Sequence, residues 1–285
     1  MNPPSPRNSG IDVRTLSSEM LEVAVVPELG GKILSLRDRL SGREWLWAAP
    51  DGRGLFRNAP GDAFEDGPLA GIDDCTPTVL PCEWEGRRLP DHGEVWMTPA
   101  TCRVDAGMLS TSVRLPVSPL VLHRDISFIA PNTMELVYRM ENTGDKAEHF
   151  LWAWHPLFPH EPGDTIEFPV NHGDPGTESA VSDLLEGSGT GMIKCFLPAP
   201  HGRCALRRSD GSMLEIRWDA NSLPWLGIWV TRGAWHGFTH IALEPTNAPL
   251  DSLAERTLPH RDEAKFPPPL APGASRTWRL LVTVQ

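Results

Sequence analysis

The chain has one tyrosine, no CxxC pair, no long apolar run and no basic cluster. Each absence removes a class of protein. The longest apolar stretches fall far short of the ~18–20 residues that span a bilayer. Five cysteines, Cys75, Cys82, Cys102, Cys195 and Cys204, are odd in number and irregularly spaced. That argues against a disulfide framework or a zinc ribbon and for reduced, cytoplasmic thiols. A net charge of −11, with Arg207-Arg208 only a pair beside a turn, disfavours nucleic acid and anionic membranes as partners. The opening Met1-Asn2-Pro3-Pro4-Ser5-Pro6 lacks the apolar core of a secretory signal and predicts a disordered leader over residues 1–10. A single domain is expected over 11–285, a length that one large β core can accommodate. There is no P-loop, GxGxxG, HExxH or GxSxG, so nucleotide handling, zinc proteolysis and α/β-hydrolase chemistry lose support.

Helical periodicity is also scarce. Only Val181–Leu185 suggests a short helix. The 29 prolines and 25 glycines divide the chain into short segments, which favours strands. Leu214, Ile216 and Trp218 alternate with Glu215 and Arg217. Leu136, Tyr138 and Met140 alternate with Glu135, Val137 and Arg139, and Val113 and Leu115 with Ser112 and Arg114. Trp278, Leu280, Val282 and Val284 share one face. Period-2 alternation puts one face on a core and the other toward solvent. Ser209-Asp210-Gly211-Ser212 and Asn142-Thr143-Gly144-Asp145 read as the turns between strands, and Phe266-Pro267-Pro268-Pro269 as a surface loop before the last strand. Many short strands with tight turns predict an all-β antiparallel sandwich.

Four places carry candidate chemistry. His155, in Trp152-Ala153-Trp154-His155-Pro156-Leu157-Phe158, points opposite to Trp154 and Pro156 if the run is a strand. Pro156 ends regular pairing and predicts an exposed side chain near a strand end. Locally, His155 also fits a satisfied core histidine. Glu244 closes the apolar run from Thr239. A carboxylate there is costly to bury without a partner, so it either faces solvent or has a task. His92 follows Asp91, which could fix its tautomer, and precedes Gly93, which allows close backbone approach. An ordinary polar turn is the alternative. Asp73-Asp74 could bind a hydroxyl or a cation, or cap a loop. Eleven tryptophans could line a sugar site, since their flat faces match sugar C–H groups, or fill a β core.

These features fall in a familiar order. Val23 to Leu36, with Gly30-Gly31 between two apolar runs, is followed by Gly42-Arg43-Glu44-Trp45-Leu46-Trp47 and by Asp91-His92-Gly93. His155-Pro156-Leu157-Phe158, Leu243-Glu244-Pro245-Thr246 and Leu270-Ala271-Pro272-Gly273 to Trp278 come after them. From about Leu21 to Val284 the chain resembles the aldose 1-epimerase (galactose mutarotase-like) family. The resemblance implies a β-supersandwich of two large antiparallel sheets. It also implies an isomerase that interconverts the α and β anomers of an aldose, with His155, Glu244 and His92 catalytic. Asp74, Arg88, Trp96, Trp154 and Trp229 are the candidates for binding the sugar. No metal or organic cofactor is expected, and the oligomeric state is open.

Two family features have no counterpart. The Asn-Arg motif upstream of the first histidine is replaced by Gly71-Ile72-Asp73-Asp74-Cys75-Thr76-Pro77, and Leu226-Gly227-Ile228-Trp229-Val230 holds no acid. The sugar contacts therefore differ.

Anomer exchange needs a base for the C1 hydroxyl and an acid for the ring oxygen, on opposite sides of one pocket. An ionised Glu244 suits the base. His155 suits the acid, because an unperturbed pKa near ~6.5 leaves a usable protonated fraction, which a nearby carboxylate would raise. His92 would hold the sugar or polarise the ring oxygen. A sugar-phosphate epimerase would instead need two Arg or Lys beside His92, with Arg37, Arg87 and Arg88 the nearest candidates. A non-catalytic carbohydrate-binding protein would need no His–Glu pair.

Overall fold

The alternating runs become strands that bury their apolar faces between two sheets. In a computed structural model, the structure describes residues 10–167, 175–257 and 266–285. The leader expected over residues 1–10 lies, Gly10 apart, outside the described residues.

The first sheet runs in the order Arg14–Ser17, Leu21–Val26, Lys32–Asp38, Ile72–Cys75, Ala153–Pro156, Phe238–Thr246, Trp225–Trp235, Gly191–Pro198. Phe158–Pro159 continues the pairing of Ala153–Pro156 along Phe238–Thr246. The second sheet runs Thr165–Glu167, Arg203–Arg207, Met213–Trp218, Ser275–Val284, Thr133–Asn142, Leu120–Ala130, Met108–Arg114, Thr101–Asp105. Neighbours in both sheets are antiparallel. The short helix signal falls inside Pro175–Glu186, whose Val181 and Leu185 are buried.

The core between the sheets is aromatic. Tyr138 stacks on Trp278 at 5.6 Å, and Trp152 meets both rings edge-on at 4.8 and 4.9 Å. Most of the eleven tryptophans are therefore core residues, Trp45, Trp152 and Trp154 among them. One ion pair is buried in this interface: Arg124 reaches from the second sheet to Asp74 of the first at 2.9 Å and also donates to the Gly31 carbonyl.

Register positions the site. Ala153 pairs with Thr246, Phe158 with Ile241 and Pro159 with His240. Continued between these pairs, the same register sets His155 opposite Glu244. On the other side His155 pairs with Asp73, and Trp154 with Asp74. Alternation then separates the two acids. Asp73 shares the face of His155, and Asp74 shares the inward face of Trp154.

Candidate active site

A pocket of about 310 Å³ opens on the outer face of the first sheet, where His155, His92, Lys194 and Asp251 meet Phe64, Trp229 and Trp235. Glu244, 1% exposed, lies behind two of these lining residues, in contact with His155, itself 2% exposed, and with Lys194. The His155 Nε2 to Glu244 Oε1 distance is 3.9 Å. His155 is thus buried where the sequence suggested exposure. Its ring still faces the pocket, because Pro156 and Trp154 take the opposite side of the strand.

Glu244 is buried with a partner. Lys194 Nζ donates to Oε2 at 2.7 Å and lies 3.5 Å from Asp251 Oδ1. Oε1 accepts no hydrogen bond among the described residues. Burial pushes the Glu244 carboxyl up, but the Lys194 ammonium more than offsets this and holds it below the ordinary glutamate range. The carboxylate is ionised, with one oxygen pinned and the other free.

His155 takes the opposite course. Burial pushes its pKa down to about 3, and attraction to Glu244 does not compensate, since Lys194 already neutralises that charge. The imidazole is neutral at pH 7. This corrects the expectation of a partly protonated His155.

His92 is held from three directions. Its Nδ1 contacts Asp91 Oδ1 at 2.8 Å, its ring stacks on Phe64 at 3.8 Å, and its backbone is left-handed at φ 54°. Gly93 follows at φ 74°, where a Cβ would lie 2.1 Å from the Thr76 carbonyl oxygen. Only glycine allows that approach. Burial raises the Asp91 carboxyl and the His92 contact lowers it, with a net decrease that keeps it ionised. The His92 and His155 rings stand 5.3 Å apart.

The remaining candidates divide. Trp229 lines the pocket, 6.0 Å from the His155 ring. Asp74 does not, because Arg124 holds it between the sheets. Trp154 is fully buried on that same inner side. Trp96 stands behind Phe64, edge-on at 5.2 Å, with its indole N–H on the Asp91 carbonyl. Arg88 is exposed on the ribbon formed by Cys82–Trp84 and Arg87–Leu89, away from the pocket. The sequence does not single out Lys194, Asp251, Phe64 or Trp235. The available sign is Lys194 itself, a lysine on the same face as Met192 and Phe196 in an otherwise apolar strand. Among the described residues no three His, Cys, Asp or Glu side chains converge as metal ligands.

No family model matches the chain, and no curated protein matches it in sequence. Solved structures do match in shape. The Slr1438 protein of Synechocystis sp. PCC 6803 superposes with a TM-score of 0.73 at 15% identity, over 100% of this chain and 99% of that one. A candidate aldose 1-epimerase from Escherichia coli K12 gives 0.72 at 17% identity, over 97% and 99%. The galactose mutarotase related enzyme from Lactobacillus acidophilus gives 0.69 at 14%, over 96% and 97%. The fold is galactose mutarotase-like. The two-sheet sandwich expected from strand alternation and from the ordered motifs is the one observed. No described helix is long and apolar enough to cross a membrane.

Proposed function

We propose that this chain is an aldose 1-epimerase-like isomerase that interconverts the α and β anomers of a neutral aldose. One observation carries the reading: an ionised, buried Glu244, its Oε1 without a hydrogen-bond partner among the described residues, lies against His155 and Lys194, which line an aromatic pocket together with His92. Oε1 takes the proton of the C1 hydroxyl. As the C1–O1 double bond forms, the C1–O5 bond breaks and the ring opens. Rotation about C1–C2 and reclosure give the other anomer. Neutral His155, together with His92, binds and orients the C1 region by hydrogen bonds. Trp229 and Trp235 offer flat apolar faces to the sugar ring.

The lining favours a neutral sugar over a sugar phosphate. Among the described residues no arginine lines the pocket, and its lysine is already paired with Glu244. A phosphate would require convergent cations. A mere binding protein would not need a buried carboxylate held ionised. The five free thiols suit a reducing compartment, and we place the protein in the cytoplasm.

Two-dimensional exchange NMR against neutral aldoses and their 6-phosphates tests this. Accelerated exchange of a neutral aldose is expected, with Glu244→Gln slower by ~10²–10⁴-fold in kcat. Sugar binding without faster exchange, or an unimpaired Glu244→Gln, would sink the reading.

A further inference from the structure

Anomer exchange through Glu244 leaves one proton without a source. The ring oxygen must be protonated as it leaves C1, and buried His155 is neutral. Lys194 is the one Lys or Arg among the described residues that line the pocket. Its Nζ contacts the base itself, at 2.7 Å, and its side chain keeps 27% exposure on the pocket side. An ammonium has three donors. Glu244 engages one and Asp251 Oδ1 lies 3.5 Å away, so the ammonium keeps a donor for a ligand. The two oxygens that exchange protons, O1 and O5, are both bonded to C1. A base and an acid that touch one another can therefore reach both.

We propose that Lys194 is a catalytic residue of this reaction, donating its proton to the ring oxygen while Glu244 takes the proton of the C1 hydroxyl. The inference rests on the anomer-exchange reading above. The electrons of the O1–H bond form the C1–O1 double bond, and those of C1–O5 stay on O5. O5 takes a proton from Nζ. The open-chain aldehyde then sits over a neutral Glu244 and a neutral amine. Reclosure on the other face of C1 returns one proton to Nζ from O5 and one to O1 from Glu244. No proton, electron or co-reactant is gained or lost.

The arrangement couples the two transfers. Lys194 faces the carboxylates of Glu244 and Asp251, the Cys75 thiol on Ile72–Cys75, and His155 on Ala153–Pro156. Burial pushes the ammonium pKa down, but Glu244 and Asp251 raise it further, so the proton is present at neutral pH. When Glu244 accepts its proton it loses the charge that held the proton on Nζ. The acid strengthens at the moment it is needed.

The test compares wild type, Lys194→Met, Lys194→Arg and Lys194→Cys aminoethylated with bromoethylamine, with identically treated wild type as control. The readout is aldose anomer exchange by NMR against pH. Lys194→Met should lose ~10²–10⁴-fold in kcat with KM changed little. Lys194→Arg keeps a cation on Glu244, but a guanidinium does not release its proton, so it should stay as slow. Aminoethylation restores an ammonium made more acidic by sulfur. It should recover exchange and move the basic limb of the kcat profile to lower pH. The recovery decides the matter even if Lys194→Met folds poorly. Near wild-type exchange in Lys194→Met or Lys194→Arg, or no recovery on aminoethylation, overturns the assignment of Lys194 alone. A wild type that exchanges no aldose overturns the functional reading and this assignment with it.

Discussion

Lys194 and Glu244 form an ion pair across a strand, not between neighbours. Their strands flank Trp225–Trp235, and Gly227 of that central strand lies directly opposite Glu244 in the register. A Cβ at Gly227 would stand 3.1 Å from Glu244 Oε2 and 3.2 Å from its Cβ. The sequence position that lacks an acid is thus also one where the carboxylate of a neighbouring strand has taken the space.

Gly227→Ala should therefore act on the base without touching the sugar. The added methyl forces Glu244 to shift by a few tenths of an ångström, and Phe196 at 3.3 Å limits the escape. Misplacement on that scale is costly in a site that works by alignment. The expected result is a lower kcat with a nearly unchanged melting temperature. Equal kcat in the two proteins would show that the Glu244 position is not critical.

The pH profile follows from the same pair. Lys194 holds Glu244 ionised below the ordinary glutamate range. In the proposed reaction activity needs the carboxylate, so kcat/KM should persist as pH falls through 4.5 and fail only below it. In Lys194→Met the lowering partner is gone while the burial remains, and the residual activity should fail at higher pH. Steady-state profiles of both proteins check the sign. An acid limb at the same pH in both would contradict the account.

His240 predicts acid sensitivity of the fold. It is fully buried between Trp47 at 4.4 Å and Trp229 at 4.9 Å, and neither ring nitrogen has a partner among the described residues. Burial lowers its pKa from 6.5 to about 4. Between those values the unfolded chain binds a proton and the folded one does not. Stability is present above pH 6.5 and is lost as pH falls toward 4, by on the order of 3 kcal/mol for this group. His155 adds a loss of the same sign. Urea unfolding at pH ~7, ~5 and ~4 measures it, and His240→Leu should flatten the slope.

Asp74→Asn separates structure from binding. Removing the charge leaves Arg124, 2% exposed, without its counterion. Breaking a buried pair from one side costs about 3–5 kcal/mol. A large drop in melting temperature with unchanged KM for the sugar is expected. A raised KM at intact stability would return Asp74 to the pocket.

Much of this architecture is legible in the sequence, because strand alternation is local. The faces of Met213–Trp218, Thr133–Asn142 and Ser275–Val284 can be read from residue order alone. So can the hairpin at Asp210-Gly211 and the constraint on His92 from Asp91 and Gly93. Alternation also separates His155 from Trp154, yet Trp154 still reads as a sugar contact until the second sheet is in place. Asp74 is ambiguous for the same reason: which of two adjacent acids faces inward depends on the partner strands. Lys194 is invisible because its meaning comes from Glu244, 50 residues away and on a strand that is not its neighbour. The low pKa of His155 is hidden because sequence conveys the residue type and not the depth of burial.

The strand Ile72–Cys75 is tied on both of its faces. On the pocket side Asp73 holds Lys32, which also donates to the Ala70 carbonyl at 2.9 Å, and on the inner side Asp74 holds Arg124. A strand anchored this way cannot bend toward either side without opening a buried ion pair. The strand behind His155 is therefore rigid, and in the proposed function the motion that admits a ligand falls on the rim of the pocket. Leu80 and Met192, both exposed, line that rim. Relaxation measurements on the microsecond-to-millisecond scale should find exchange there and quiet amides along Ile72–Cys75.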